Sequence, residues 1–480
     1  MKTPVYSKIL LIAITTCVFL TLSVAYADSC IDCHITETPG IVEQWETSKM
    51  STVITSCSTC HGNDHTNEND YDAVSYPTPK TCGGCHSQKV EEFSEGKHAL
   101  AWAAMEAMPR TASQPDEISD GKKGCGGCHQ VGYAWEDGST GKCDSCHTRH
   151  VFSKVEARKP ESCQTCHMGF DHPNWEMWST SKHGTIYMTE GDSWDWEYPT
   201  GGEWPNRSPV CQTCHMVEGD HEVITSWGFL GVRVPESDEE WWEDRVVILQ
   251  GLGVLDRDGN PTDRLDLVGA AKVARLTEEE WQLYRDEMLE QCSKCHSENY
   301  ARAQLESGDA ILKASDVLMA EAIEIMFELD DEGLLETQEG QEYAFAHGDL
   351  LTFYDAPTSV GQILHEMFLE FRMRTFQGAF HVNPDYMHWY GWAPLKSSLL
   401  EIREAADDLR SEALLEEKIA LIESELGSVE GVPGPAGPAG PPGSPGEAGE
   451  VGGSVLTPIG LGIALLALLI GVYTYTKIQS

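Results

Sequence analysis

The stretch Cys163-Gln-Thr-Cys-His-Met-Gly-Phe-Asp-His172 contains the unit from which this chain is built. Its first five residues have the spacing Cys-x-x-Cys-His, which lets two thiols form thioethers to the vinyl groups of a haem while the histidine binds the iron. One isolated Cys-x-x-Cys segment would also suit a zinc knuckle or a redox dithiol. Here the five-residue pattern occurs eight times, always with its histidine. The repetition predicts eight covalently bound haem c groups.

The eight motifs account for sixteen of the seventeen cysteines. The first to eighth motifs, in chain order, are Cys30, Cys33 and His34; Cys57, Cys60 and His61; Cys82, Cys85 and His86; Cys125, Cys128 and His129; Cys143, Cys146 and His147; Cys163, Cys166 and His167; Cys211, Cys214 and His215; and Cys292, Cys295 and His296. The remaining cysteine, Cys17, lies in the predicted export signal. No thiol is therefore left for a disulfide or for a metal ion held by protein atoms alone.

Residues 1–27 have the features of a secretory signal peptide. Lys2 and Lys8 are followed by an apolar stretch, and Ala25-Tyr26-Ala27 is a small-residue cleavage site. Export agrees with covalent haem attachment, which takes place outside the cytoplasm. We therefore expect the protein on the periplasmic or another extracytoplasmic face.

The charge balance is strongly acidic. There are 33 basic and 77 acidic side chains, for a formal net charge of -44. This charge excludes nucleic acid as a partner. It favours solubility and would also steer a cationic electron carrier toward the surface.

The rest of the chain divides into regions of different composition. Residues 28–300 contain all eight motifs. The first seven, up to about Val223, have short connections rich in Gly, Ser, Thr, Asp and Pro, so haem groups are expected to supply much of the core. In the longer gap before the eighth motif, Thr277 and Glu280 form a capping box that predicts a helix. Residues 301–427 have helical periodicity, with predicted helices over 301–335, 359–376 and 395–426. The fold class is therefore a mainly α multihaem cytochrome c with a loop-rich, haem-packed core and long C-terminal helices.

A glycine repeat and an apolar stretch follow the predicted helices. Glycine occupies every third position from Gly431 to Gly452, which is typical of collagen, although a plain extended linker is the alternative. We expect residues 428–454 to form a collagen-like stalk, 455–476 a transmembrane helix and 477–480 a short cytoplasmic tail. Three crowded strands would imply a homotrimer anchored to the membrane.

The histidine count permits either an electron conduit or an enzyme. Eight of the eighteen histidines belong to motifs. The other ten are His65, His98, His150, His172, His183, His221, His347, His365, His381 and His388. A pure conduit would use eight of them as distal iron ligands, whereas an enzyme with one open haem would use seven.

The motif layout resembles the octahaem hydroxylamine oxidoreductase family, also called hydroxylamine dehydrogenases. The resemblance extends from Cys30 to about Leu426 and includes the quoted stretch, Ser181-Lys-His-Gly184 and Asn383-Pro-Asp-Tyr-Met-His-Trp-Tyr390. It implies that the fourth haem, on Cys125, Cys128 and His129, is open and catalytic. It also implies that Asp171 and His172 project into its distal pocket, and that the other seven haems have two histidine ligands.

The resemblance implies further roles. Family members that oxidise their substrate have a tyrosine from a neighbouring subunit bonded to the catalytic haem, and the nitrite reductases lack it. Tyr386 and Tyr390 both lie in the corresponding region, and simple aromatic packing is the alternative role for each. We assign His98, His150, His183, His221, His365 and His381 as distal ligands.

Together these features predict an enzyme that oxidises hydroxylamine to nitric oxide or nitrite. Asp171 and His172 would take the protons, because imidazole titrates near neutral pH. Seven closed haems would pass the electrons to a c-type cytochrome or a quinone-linked acceptor. The alternatives are a nitrite or hydroxylamine reductase that forms ammonia, a hydrazine dehydrogenase, and a non-catalytic electron conduit.

Overall fold

The computed structural model describes residues 29–106, 114–119, 121, 123–170, 172–233, 236–274, 277–335, 349–351 and 355–427. The predicted signal peptide, Asp171, His347, the glycine repeat, the predicted transmembrane helix and the tail lie outside these residues. The chain divides into two compact units, residues 1–418 and 419–480. In the second unit the described part, 419–427, is the end of a helix.

Short helices joined by loops make up the part of the chain that contains the first seven motifs. The α-helices there are Ser29–Glu37, Pro39–Thr47, Ser58–His61, Pro79–Glu95, Ala101–Glu106, Asp116–Ser119, Gly126–His129, Lys154–Arg158, Glu161–Gln164, Asn174–Ser179, Lys182–Glu190 and Cys211–His215. Few apolar side chains are buried in this part. The main exception is a small aromatic cluster that includes Trp178, Tyr187 and Trp196.

The rest of the described chain contains longer helices and a few short helical segments. They are Glu239–Gly251, Asp263–Ala270, Glu278–Ser293, Glu298–Asp331, Ser359–Glu366, Met373–Phe380, Pro384–Tyr386 and Ala393–Gly427, with π-helical turns at Met367–Arg372 and Met387–Trp392. The three helices predicted after residue 301 are confirmed. The helix predicted to start at Thr277 is also confirmed, and Asp238 is the N-cap of a further helix, Glu239–Gly251, that was not predicted.

The largest apolar core lies among these longer helices. It includes Ile248, Met319, Ile323, Phe368 and Leu395, each with at most 1% of its surface exposed. Their spacing places one apolar face of each helix against its neighbours. This core makes a scaffold beside the motif-bearing part of the chain.

The predicted mainly α fold class is confirmed. Among the described residues there is no strand, and the only β pairing consists of the isolated bridges Ala134–Thr140 and Leu255–Pro261. Within those same ranges no helix is both long enough and apolar enough to cross a membrane.

A buried ion cluster joins three of the longer helices. Asp316 accepts hydrogen bonds from Arg372 Nε at 2.7 Å and from Trp241 Nε1 at 2.7 Å. It also pairs with Arg245 Nε at 2.9 Å. The side chains of Asp316, Arg245 and Arg372 are fully buried. Loss of the carboxylate would leave two guanidinium groups without their counter-charge in the interior.

We expect Asp316→Ala to lower the free energy of unfolding by about 3–5 kcal/mol, because breaking a buried ion pair leaves uncompensated charge. Urea denaturation followed by far-ultraviolet circular dichroism would measure the loss. The control is Asp331→Ala, which removes an exposed pair with Arg257 and should cost about 1 kcal/mol or less. Equal losses in the two variants would contradict a stabilising role for the cluster.

Candidate functional site

Each motif occupies one helical turn, which brings its three functional side chains together. In the fourth and sixth motifs the histidine backbone N–H donates to the carbonyl of the first cysteine at 2.9 Å. The first cysteine and the histidine, four residues apart, therefore lie on the same face of the turn. The geometry suits one flat ligand bonded at its edge by the thiols and at its centre by the imidazole.

All eight motifs border one connected cavity of about 4120 Å³. Ordinary small-molecule sites have volumes of roughly 300–1,000 Å³, so this cavity suits a set of large groups. Within the described parts of the chain, no three His, Cys, Asp or Glu side chains converge as a protein-held metal ion would require. The residues present therefore fit a series of haem groups better than a zinc site.

Six motif histidines face a second histidine across a gap of nearly constant width. The ring-centroid separations are 5.9 Å for His34–His65, 6.1 Å for His61–His150, 6.3 Å for His147–His221, 6.0 Å for His167–His98, 6.4 Å for His215–His381 and 6.1 Å for His296–His183. Two imidazoles bound to opposite faces of one metal ion, at roughly 2 Å per metal–nitrogen bond, have ring centres about 6 Å apart. Each gap therefore fits one iron atom.

Hydrogen bonds at Nδ1 orient many of these rings. The partners are Thr38 Oγ1 for His34 (2.7 Å), the Ser75 carbonyl for His61 (3.0 Å), Asp70 Oδ1 for His65 (2.7 Å), Asn174 Oδ1 for His167 (3.3 Å), the Ile224 carbonyl for His215 (2.8 Å), the Gly219 carbonyl for His221 (2.9 Å) and the Gln377 carbonyl for His381 (2.8 Å). A carbonyl or carboxylate oxygen can only accept, so Nδ1 carries the proton in those cases. Nε2 is then the nitrogen that can bind iron, as in other metal-ligating histidines.

Burial keeps several of these imidazoles in the neutral form that binds a metal. Desolvation, with a smaller contribution from Lys97, lowers the pKa of His98 to about 4. Desolvation, with smaller contributions from His172 and His98, lowers the pKa of His167 to about 3. Desolvation, followed by His215, lowers the pKa of His381 to about 4. These side chains are therefore uncharged at neutral pH.

Five of the six predicted distal ligands stand in the facing pairs, namely His98, His150, His183, His221 and His381. The sixth pair uses His65, which the sequence analysis did not assign. Its signal is Asp70, five residues further on, whose carboxylate binds Nδ1 of the ring.

The remaining predicted distal ligand, His365, has a different environment. It is buried in the helix Ser359–Glu366 and borders the cavity, and its described ring contact is with Phe170 at 6.5 Å. Phe170 immediately precedes Asp171 and His172, so His365 lies beside that segment. Within the described residues no ring pair joins His86 of the third motif to a second histidine. The distal ligand of that motif stays a prediction.

His172 lies where the fourth and sixth motifs meet. Its ring centroid is 6.2 Å from His129 and 5.8 Å from His167. The ring stands edge-on to His129 at 73°, whereas the six facing pairs have interplanar angles between 19° and 51°. The separation between the His172 and His129 rings is similar to that in the six facing pairs, so distance does not tell a ligand from a side chain of the distal pocket. The edge-on orientation and the contact with two motifs distinguish His172 from the histidines in those pairs.

Phe229 supports the ring of His172, a contact that sequence reasoning missed. The two rings stack with centroids 5.0 Å apart and planes at 17°. The loop that presents Phe229 is held from the interior, because Arg372 donates to the carbonyls of Leu230 at 2.9 Å and Gly231 at 3.3 Å. Gly231 has a φ of +60°, where a side chain is disfavoured. The Asp316 ion cluster thus extends to the side chain that fixes the plane of His172.

The two candidate tyrosines differ in accessibility. Tyr386 is 8% exposed, and burial raises its pKa to about 12. Tyr390 is 53% exposed and stacks on Tyr386, with ring centroids 4.9 Å apart. Only Tyr390 of the two presents much of its surface to a neighbouring molecule. His388, on the same π-helical turn, is exposed and does not border the cavity.

Thiol contacts order most of the motifs in a row. The thiol of Cys82 in the third motif lies beside that of Cys143 in the fifth, and the thiol of Cys163 in the sixth lies beside that of Cys211 in the seventh. Burial, followed by the two sixth-motif thiols, raises the pKa of Cys146 in the fifth motif to about 12. Burial, with smaller contributions from the two eighth-motif thiols, raises the pKa of Cys214 in the seventh motif to about 12. The third, fifth, sixth, seventh and eighth motifs are therefore neighbours in that order.

Comparisons with known proteins agree with this geometry. The family model described as "Seven times multi-haem cytochrome CxxCH" matches residues 27–248 and 264–342. A probable nitrite reductase–hydroxylamine oxidoreductase fusion protein of Kuenenia stuttgartiensis is 28% identical over 469 residues, which cover 80% of this chain and 52% of the relative. This chain thus spans about half the length of that curated relative.

Two solved structures have a similar fold. A reducing HAO-like protein complex of Kuenenia stuttgartiensis contains a chain that is 26% identical, with a TM-score of 0.63, covering 81% of this chain and 86% of that one. A hypothetical multiheme protein is 20% identical with a TM-score of 0.63, covering 80% of this chain and 96% of the other, and shows the fold alone. The expected resemblance to the hydroxylamine oxidoreductase family is confirmed.

We expect His65→Ala to retain its haem groups but to convert one low-spin, bis-histidine haem into a haem that binds added ligand, because His34 would be left as its single axial ligand. Absorbance and electron paramagnetic resonance spectra of the purified protein would detect the change. His388→Ala, which removes an exposed histidine outside the cavity, should leave both spectra unaltered. An unchanged spectrum for His65→Ala would remove His65 from the set of ligands.

Proposed function

Because this chain belongs to the multi-haem cytochrome family defined by the Cys-x-x-Cys-His motif, we propose that it is an octahaem oxidoreductase that oxidises hydroxylamine to nitric oxide or nitrite. Membership in the family implies covalently bound haem c, and the eight motifs support eight such groups. The observation that best supports the activity is the position of His172, edge-on to His129 and against His167. An imidazole that stands edge-on to the motif histidine favours a role in catalysis, whereas a conduit would need a second iron ligand in the geometry of the facing pairs.

The proposed ligand sets follow from the facing pairs. Seven haems would have two histidine ligands, six of them through the pairs that include His65, His98, His150, His183, His221 and His381. The third motif would take its distal ligand from His347 or His365. The fourth motif would keep one axial position for substrate.

The residues around the fourth motif have different roles in the proposed substrate oxidation. Haem c bound there would supply an iron that accepts the substrate nitrogen and takes up electrons. Oxidation of hydroxylamine releases protons, and the imidazole of His172 is placed to accept them as a general base. Asp171, its neighbour in sequence, is the second proposed proton acceptor. Phe229 is a positioning residue, because its stacking holds the His172 ring in one plane.

The neighbouring motifs give the electrons a route away from the fourth site. His172 also contacts His167 of the sixth motif, which adjoins both the fifth and the seventh motif. Electrons can therefore leave in two directions along the row. A c-type cytochrome or a quinone-linked carrier would receive them, and the acidic surface favours a cationic protein.

The reductive alternative has a specific observation in its favour. One relative is a probable nitrite reductase–hydroxylamine oxidoreductase fusion protein, and the solved structure at 26% identity belongs to a reducing HAO-like protein complex. The same scaffold would then reduce nitrite or hydroxylamine to ammonia. Hydrazine oxidation is a further use of the same pocket. The tyrosine link discriminates between the oxidising and reducing readings.

Location forms part of the proposal. Residues 1–27 would direct export, 455–476 would anchor the protein, and 428–454 would hold three catalytic subunits above the extracytoplasmic face of the membrane. The homotrimer would allow Tyr390 of one subunit to reach the fourth haem of another.

We expect His172→Ala to lower hydroxylamine turnover by about 10²- to 10⁴-fold, the usual contribution of a general acid or base. The haem content and the low-spin signals should stay unchanged, as measured by pyridine haemochrome assay and electron paramagnetic resonance. Phe229→Leu, which removes the stacking ring but keeps the imidazole, should cause a smaller loss. Disappearance of a bis-histidine signal in His172→Ala would show that His172 is a ligand and would favour the conduit.

We expect Tyr390→Phe to abolish a covalent link between subunits and to shift the absorbance of one haem. Of the two candidate tyrosines, Tyr390 is the one whose ring is exposed to a neighbouring subunit. Denaturing electrophoresis and mass spectrometry of the haem peptides would show whether subunits separate. Tyr386→Phe is the matched control, since its ring is buried within its own subunit. If the unmodified protein already separates into single chains, the reductive activity becomes the better proposal.

A further inference from the structure

A cluster of arginine and tryptophan side chains lies inside the helical scaffold, next to the loop that presents Phe229. Its members, here called the Arg–Trp cluster, are Arg233, Arg245, Arg285 and Arg372 with Trp227, Trp241 and Trp281. The guanidinium carbons lie over indole rings, and their distances to the ring centroids are 5.0 and 4.2 Å for Arg233 over Trp227 and Trp281, 5.2 and 4.3 Å for Arg245 over Trp227 and Trp241, and 4.6 Å for Arg285 over Trp281.

The buried charges of the cluster do not balance. Arg245 and Arg372 share the single carboxylate of Asp316, and all three side chains are fully buried. Each of the other two arginines has a carboxylate of its own, in the pairs Arg233–Glu236 and Arg285–Asp309. Among the described residues, the cluster therefore contains one more buried positive charge than negative charge.

The excess charge persists at neutral pH. Burial lowers the pKa of Arg245 only to about 10, so its guanidinium stays protonated. Asp244, the neighbour of Arg245 in sequence, is partly exposed and provides no acceptor to Nη1 or Nη2 of that arginine. An uncompensated charge in the interior is costly, so the cluster favours a further anion.

The donors of the cluster indicate where such an anion would bind. Arg372 uses all of its guanidinium nitrogens, because it donates to Asp316 and to the carbonyls of Leu230 and Gly231. By contrast, Nη1 and Nη2 of Arg245 are buried and have no hydrogen-bond acceptor in the part of the chain that the structure describes. The same holds for Arg233 Nη1, Arg285 Nε and Nη1, and Trp281 Nε1. Buried donors of this kind normally have a partner.

We propose that Arg245 binds one small, planar, monovalent oxyanion through Nη1 and Nη2. Nitrate, nitrite and bicarbonate share this chemistry. The inference goes beyond the proposed activity and uses no residue of the fourth motif.

The shape of the site favours a planar oxyanion over a halide. Indole rings of Trp227 and Trp241 pack on the guanidinium of Arg245, whose N–H groups point outward in its own plane. Two parallel N–H groups of one guanidinium match two oxygens of a planar anion, as in bidentate pairs with carboxylates. A spherical halide provides only one acceptor atom for the two donors.

The excess charge favours an anion over water. A water molecule would accept a hydrogen bond from Nη1 or Nη2, but it would leave the positive charge uncompensated. A monovalent oxyanion supplies both the acceptors and the missing charge. With it, Arg245 would have two anionic partners, namely Asp316 at Nε and the bound anion at the other two nitrogens.

Anion binding to the full-length, haem-loaded protein tests the site. The probe is nitrate, added by equilibrium dialysis at constant ionic strength in a buffer whose other anion is a bulky sulfonate. Ion chromatography of the denatured protein then counts the small anions per chain, including any that remained bound during purification. The net charge of -44 disfavours binding of anions at the surface.

Three variants locate the binding site. Arg245→Met removes the two donors and the excess charge, so it should abolish binding while Asp316 stays paired with Arg372. Arg257→Met is the matched control, because it makes the same change at an exposed pair with Asp331. Arg245→Lys keeps the charge but lacks the planar fork, and it should weaken nitrate binding by about tenfold. This third variant keeps the test decisive if Arg245→Met does not fold, as judged by haem content and circular dichroism.

The expected result is one equivalent of nitrate, or of another planar oxyanion, per chain in the unmodified protein and in Arg257→Met. No bound anion in the unmodified protein, or equal binding in the Arg245 variants, would overturn the site and leave the donors to water. One equivalent of chloride in place of an oxyanion would overturn the proposed class of ligand. The readout does not involve hydroxylamine turnover, so its failure would leave the proposed activity untouched.

Discussion

The gap of about 6 Å between facing imidazoles, which matches two rings that would share one metal ion, is the constraint on which this structure depends. Each motif supplies one ring from a single helical turn. The opposite ring comes from elsewhere in the chain, as far away as His381 for His215 and His183 for His296. Every facing pair therefore brings two separate segments of the chain to opposite sides of a gap that a haem would fill. In the motif-bearing part of the chain, these pairs hold the segments together, as the continuous apolar core does among the longer helices.

The same constraint explains why the fourth motif can be different. A second axial ligand must hold its ring at the right distance across from the motif histidine, as His221 and His381 do. His172 has the distance, but it stands edge-on and stacks on Phe229. Behind that contact lies the buried charge cluster around Asp316, which holds the loop through Arg372. A polar network deep in the scaffold thus determines the orientation of one imidazole at the cavity wall.

The local features of the chain could be predicted from its sequence, and the long-range ones could not. The motifs are contiguous, and the long helices follow from apolar periodicity and caps such as Thr277. Pairing of distal histidines depends on tertiary structure, so the sequence did not single out His65, which lies opposite His34. The assignment of His365 as a distal ligand stays a prediction. The role of Phe229 was also missed, because one aromatic residue in a glycine-containing loop has no spacing rule. Exposure separated Tyr390 from Tyr386, which sequence reasoning treated as equivalent.

The uneven distribution of apolar residues has a consequence for how the protein is made. Synthesis proceeds from the N-terminus, so the first motifs emerge well before the helices around Ile323 and Phe368 that contain the main apolar core. His381, which faces the seventh motif, is made later still. The early motifs therefore emerge on a segment that has few apolar contacts of its own with which to fold. Thioether bonds would therefore form on a segment that has not yet folded, and the distal histidines would pair with the motif histidines later. The order of residues along the polypeptide would thus determine the order of assembly.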